Sequence, residues 1–180
     1  MKKYLFILMA LLPLTLTAQA QAPGKTELSA LLNSLAEEDS RYNLFEVGSE
    51  MLKAFCELEN ADSTSIAIFK KIKSVKMLEL RRTEEELADL ESEDPDNAFL
   101  DLTFYNDITT RLDLTNYNQL LKSRNNRSMA LLLKKFFAPN DSEFLLITDH
   151  LVIDIRGDIV IKTIYQMEEV MSYVQQILPN

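Results

Sequence analysis

The sequence predicts an α+β domain: an antiparallel sheet with a C-terminal four-stranded meander, helices packed on one face, and an N-terminal signal peptide. Three observations carry this expectation. The C-terminal third holds four apolar runs divided by brief turn signals. Stripes of apolar residues at helical spacing occur before those runs and again after them. The strands are not separated by regular helical crossovers, which disfavours a doubly wound parallel sheet and favours helices laid over an antiparallel one.

Taken in order, the chain begins with a short basic stretch, Met1-Lys2-Lys3-Tyr4. An apolar run from Leu5 to Leu16 follows, then the small-x-small pattern Ala18-Gln19-Ala20. Basic region, short apolar core and cleavage pattern read as a signal peptide over residues 1–20, cut after Ala20. The apolar run is too short to span a bilayer comfortably, so no stable membrane span is expected after cleavage. Cleavage moves the formal charge from −9 to −11, because Lys2 and Lys3 leave with the peptide. Residues 21–27 read as a flexible start and residues 28–178 as one domain.

Leu28, Leu31, Leu32 and Leu35 mark the first helix. Tyr42 to Val47 reads as a strand, closed by Gly48-Ser49, with Ser49 placed to cap a helix bearing Met51, Leu52, Phe55 and Leu58. Asp62 and Ser63 can cap a helix carrying Ile66, Phe69 and Ile72, and Val75 to Leu80 reads as a strand. Thr83 and Glu86 form a T-x-x-E capping box. Residues 98–112 suit either period, and helix is favoured. The meander strands are Tyr117–Leu121, Met129–Phe137, Phe144–Thr148 and Leu151–Ile155, with Asn and Asp at the turns supplying positive φ for tight hairpins. Ile164, Met167, Val170, Met171, Val174 and Ile177 describe a closing amphipathic helix.

Composition narrows the chemistry. With 47% hydrophobic and 26% charged residues, the 180-residue chain matches a folded domain and not a disordered one. One cysteine rules out an intramolecular disulfide, and Cys56 reads as a small buried hydrophobe beside Leu52. One histidine and three glycines leave no multi-histidine metal centre and no glycine-rich phosphate loop. His150 sits at an expected hairpin tip and reads as a turn residue, since no nucleophile elbow or zinc motif recruits it. The acidic stretch from Glu84 to Asp96 lacks calcium-loop spacing and reads as solvated. Arg156-Gly157-Asp158 spells an adhesion tripeptide, yet the glycine reads as a strand end. The sequons at Asn126 and Asn140 fall on turn signals, and Asp62-Ser63-Thr64 resembles a bacterial O-glycosylation site, which helix capping explains equally well.

Lys70, Lys71, Lys73, Lys76, Arg81 and Arg82 form a basic counterpart to the acidic stretch and are the candidate interaction surface. The net acidity argues against nucleic acid as a partner.

Several segments together resemble a known family. They are Tyr42 to Leu52, the strand Ser74 to Leu80, Asn116 to Leu121, and the ending Leu151 to Ile159 with its Gly157-Asp158. This pattern resembles the domain of unknown function 4252 family, small exported proteins of Bacteroidetes-type bacteria, over roughly residues 28–172. The resemblance implies an α+β fold and an envelope location and supplies no catalytic residues. The region Glu84 to Leu112 departs from it by being longer and more acidic.

The expectation for function is an exported, periplasmic or secreted, non-enzymatic protein-interaction module of the cell envelope. It has no cofactor, metal or catalytic residues, and its partner is an envelope protein. The alternative is a small-molecule or lipid-binding protein holding a small apolar ligand between sheet and helices.

Overall fold

In the computed structural model, the described residues are 25–57, 63–84, 86, 88, 101–124 and 128–161, less the side chains of Phe55, Thr64 and Ser65. The signal peptide with its Ala20 cleavage point, the Asn125-Asn126 turn and the closing helix from Ile164 lie outside them.

The elements are α1 (Leu28–Glu38), β1 (Tyr42–Gly48), α2 (Ser49–Cys56), α3 (Ser63–Phe69), β2 (Ile72–Leu80), α4 (Thr103–Arg111), β3 (Tyr117–Arg124), β4 (Met129–Ala138), β5 (Asp141–Thr148) and β6 (Leu151–Gly157). The six described strands form one antiparallel sheet in the order β1-β2-β6-β5-β4-β3. The α+β class and the four-stranded meander are therefore present, and the last meander strand also pairs with β2. The ambiguous segment resolves as helix over Thr103–Arg111.

Helices cover both faces of the sheet, not one, which corrects the sequence expectation. Val75, Met77, Ile153 and Ile155 pack with Leu52 of α2 and Phe69 of α3. On the opposite face Leu78, Leu145, Ile147 and Val152 pack with the leucines of α1 and with Phe104 and Ile108 of α4. The cause is visible in the strands themselves. All of Phe144 to Ile147 and Val152 to Ile155 are buried, and an uninterrupted run of buried residues needs cover on both sides.

Local chemistry explains the element ends. Leu28, Leu31, Leu32 and Leu35 are all buried, each contributing on the order of 1.5–3 kcal/mol. The capping box forms as expected: the Thr83 amide donates to Glu86 Oε2 at 2.6 Å and the Glu86 amide to Thr83 Oγ1 at 3.2 Å. Arg111, at the end of α4, donates to Glu38 on α1 at 2.9 and 3.1 Å and ties the two helices together. The expected flexible start at 21–27 is held at its end, because Thr26 forms a parallel bridge with Leu112.

The β4–β5 and β5–β6 hairpins depart from the expected turn chemistry. No described residue has positive φ. At the β5–β6 turn the Thr148 hydroxyl does the closing: it accepts from the amides of His150 (3.3 Å) and Leu151 (2.9 Å) and donates to the Leu151 carbonyl (3.2 Å). A side chain that satisfies the turn amides removes the need for a left-handed residue.

Candidate functional site

Residues directly opposite in an antiparallel pair project to the same side of the sheet. Tyr117 faces Lys135, Lys135 faces Glu143, and Glu143 faces Arg156. A polar row therefore crosses four strands on the α1/α4 face, beyond the apolar cover of Leu145 and Ile147. The adjacent row runs Glu46, Lys76, Asp154, then Leu145.

These two rows floor a pocket of about 180 Å³. Glu143 of β5, Asp154 and Arg156 of β6, Lys135 and Phe137 of β4, Tyr117 of β3, and Glu27 to Ser29 at the start of α1 line it. Asp113 and Asn116, from the loop after α4, complete the wall.

Asp154 is 5% exposed, and its Oδ1 has no hydrogen-bond partner among the described residues. Its neighbours show why. Lys76, directly opposite on β2, is turned to Glu46 (2.9 Å) and Ser29 Oγ (3.1 Å). Arg156, two residues along β6, is held by Asp141 through two hydrogen bonds of 3.1 and 2.8 Å. Burial, followed by the charge of Glu143, pushes the Asp154 carboxyl up to about 7, with Lys76 and Arg156 offsetting part of the rise. Glu143 accepts a hydrogen bond from the Tyr117 hydroxyl. Burial and that carboxylate push the Tyr117 phenol well above its ordinary range. Lys135 lies over the rings of Tyr117 (5.4 Å) and Phe137 (5.0 Å).

The six basic residues singled out from the sequence do not form one patch. Lys70 and Lys71 are exposed in the turn before β2, and Lys73 pairs with Asp141 at 3.0 Å. Lys76 lies under the start of α1, as described. Arg81 is exposed and Arg82 pairs with Asp149 at the other end of β2, about 30 Å away at the ordinary strand rise. Alternation along β2 sends Lys73 and Lys76 to different surroundings, and each paired cation meets an acid from another strand or, for Arg82, from the β5–β6 turn.

The Lys70–Lys73 end of the sheet is also where the β4–β5 hairpin emerges. Phe136 is 60% exposed and Phe137 41%, with the Arg156 guanidinium stacked 4.1 Å over the Phe137 ring. At the opposite end His150 Nδ1 lies 3.2 Å from Asp149 Oδ2. Cys56 is half-buried on the α2/α3 face, its Sγ 4.0 Å from the Ile66 carbonyl. Sequence reading missed Asp154, Glu143 and Tyr117. The signal available was a single polar residue, Asp154, inside the apolar run Leu151–Ile155.

Among the described residues no three acidic, histidine or cysteine side chains gather as metal ligands do, and no helix is long and apolar enough to cross a membrane. No family model, curated protein or solved structure matches the chain.

Proposed function

We propose that this chain is an exported, non-enzymatic interaction module of the bacterial cell envelope. It docks an acidic protein partner at the Lys70–Lys73 end of the sheet. The observation that carries the reading is the β4–β5 hairpin, which presents Phe136 and Phe137 to solvent among cations. Phe136 is the most exposed aromatic at this end, and Lys70 and Lys71 are exposed at the same end of the sheet, three strands across from it. Exposed aromatics with an arginine among polar neighbours match the enrichment of protein interfaces in aromatic residues and Arg, with a polar rim. Lys73 is partly neutralised by Asp141, so Lys70 and Lys71 carry the electrostatic share. The signal-peptide pattern of residues 1–20 supports export, and the resemblance to the domain of unknown function 4252 family points to the same compartment.

The test is retention of an acidic partner from envelope extract on immobilised protein, followed by crosslinking to map the contact. Phe136→Ser is expected to weaken retention by about tenfold or more, and the pair Lys70→Glu with Lys71→Glu to weaken it further at low salt. Met51→Ser, which alters an exposed apolar residue elsewhere, is expected to leave it unchanged. Equal retention by all three variants overturns the reading. The alternative of an apolar ligand gains no support from the pocket at Asp154, whose walls are mostly charged or polar.

A further inference from the structure

We propose that the pocket on the α1/α4 face binds a single primary ammonium group, with Asp154 Oδ1 and the Glu143 carboxylate as its acceptors. The carrier is a small free amine or the lysine side chain of a peptide. The site shares Phe137 with the hairpin but not Phe136, Lys70 or Lys71, and the inference stands whether or not the docking reading does.

Three observations carry it. First, Asp154 lines the cavity and is 5% exposed, and no described group donates to its Oδ1. The two cations best placed to do so are committed elsewhere, Lys76 to Glu46 and Ser29, and Arg156 to Asp141. Second, acceptors outnumber donors with charge to give. Glu27, Asp113, Glu143 and Asp154 line the cavity against Lys135 and Arg156, and Arg156 is already neutralised by Asp141. Third, about 180 Å³ admits a group of only a few heavy atoms. Leu28 and Phe137 at the wall give its methylene carbons an apolar surface, in the way that lysine stems lie on apolar surface elsewhere. The acids do not converge closely enough to act as metal ligands, so an organic cation suits them better than a metal ion.

Binding is linked to protons. The groups facing Asp154 are Glu46 of β1, Lys76 of β2, Glu143 of β5 and Arg156 of β6. Lys135 of β4, Tyr117 of β3, Glu27 before α1 and Asp113 after α4 stand around the opening. With its carboxyl pushed up to about 7, Asp154 holds a proton below that pH and an entering ammonium must displace it. An alkylammonium keeps its own charge throughout this range. Amine affinity therefore rises with pH through neutrality. A neutral hydroxyl ligand makes the opposite demand, since it is satisfied by the protonated acid.

The experiment is calorimetric titration of the purified protein with n-butylamine and with Nα-acetyl-lysine amide, from pH 5.5 to 8.5, with n-butanol as the uncharged control. The expected result is saturable binding of at least one amine, strengthening about tenfold between pH 6 and pH 8, with no binding of butanol. Binding of butylamine alone identifies a free amine as the occupant, and binding of both admits a peptide lysine. Asp154→Asn is expected to weaken binding at least tenfold and to flatten the pH profile. Glu143→Gln weakens it while leaving the profile rising. A thermal melt shows whether each variant is folded, and the wild-type pH profile serves as the test if one is not. Absence of saturable amine binding, equal binding of butanol, or a flat wild-type profile overturns the proposal.

Discussion

Asp154 costs the fold stability in a way that depends on pH. Its folded carboxyl sits at about 7 and its unfolded one near 3.9. Below the lower value both states are protonated and no penalty applies. As pH rises toward and through 7 the unfolded state ionises more readily, and stability is lost. Asp154→Asn removes this penalty. The variant's stabilisation is expected to be about 2.5 kcal/mol larger at pH 8 than at pH 5, read by urea denaturation at the two pH values. Equal stabilisation at both would show that the carboxyl is not perturbed. The sequence shows Asp154 as one polar residue in an apolar strand. It does not show that Lys76 and Arg156 turn away to Glu46 and Asp141, because those partners come from β1 and β5 and are set by strand register.

At the scale of elements, β6 ends at the turn between α3 and β2. The Asp158 amide donates to the Lys71 carbonyl at 2.8 Å. A Cβ on Gly157 would lie 2.1 Å from that same oxygen and 2.8 Å from the Ile72 Cα. Both contacts are with backbone, which cannot swing aside. Gly157→Ala is therefore expected to destabilise the fold by about 2–3 kcal/mol by forcing β6 away from β2. Amide exchange should show it first in Ile72 to Val75, and unchanged protection there would contradict the close approach. The strand end at Gly157 is legible in the sequence, but the reason for a glycine is not, since the opposing residue lies more than eighty positions earlier. The capping box at Thr83 and Glu86 was fully legible because both partners lie within one helical turn. The hairpin chemistry was half legible: Thr148, not a positive φ at Asp149 or His150, closes the turn.

For the whole molecule, two buried aspartates secure opposite ends of the sheet. Asp141 is held at about 2 chiefly by its hydrogen bonds with Arg156, with Lys73 adding to them. Burial would raise Asp149, but hydrogen bonds from His150 and from backbone amides, including that of Met129, outweigh it and hold the group at about 2. Both are depressed relative to the unfolded chain, so their contribution is present above pH 4 and is lost as pH falls through 2. Together with Asp154, they place maximum stability on the acid side of neutrality. The pair Asp141→Asn with Asp149→Asn is expected to lower stability at pH 6 by about 2–5 kcal/mol and to flatten its decline between pH 4 and pH 2. A decline as steep as in the unaltered protein would remove these groups as its cause. The α+β class and the meander were legible because apolar period is local. Cover on both faces was not, although the runs Phe144 to Ile147 and Val152 to Ile155 carried the signal.

The strand order β1-β2-β6-β5-β4-β3 also sets a timetable. β3 to β6 are neighbours in sequence and can zip together locally, but β2 finds its second partner only in β6, some seventy residues later. While the chain emerges from its N-terminus, the inner side of β2 has no strand to pair with until Leu151–Gly157 has been delivered. Among the described strands β6 is the last and joins the two parts of the sheet, so a chain interrupted before that point retains two unjoined pieces and an open edge for other chains to join.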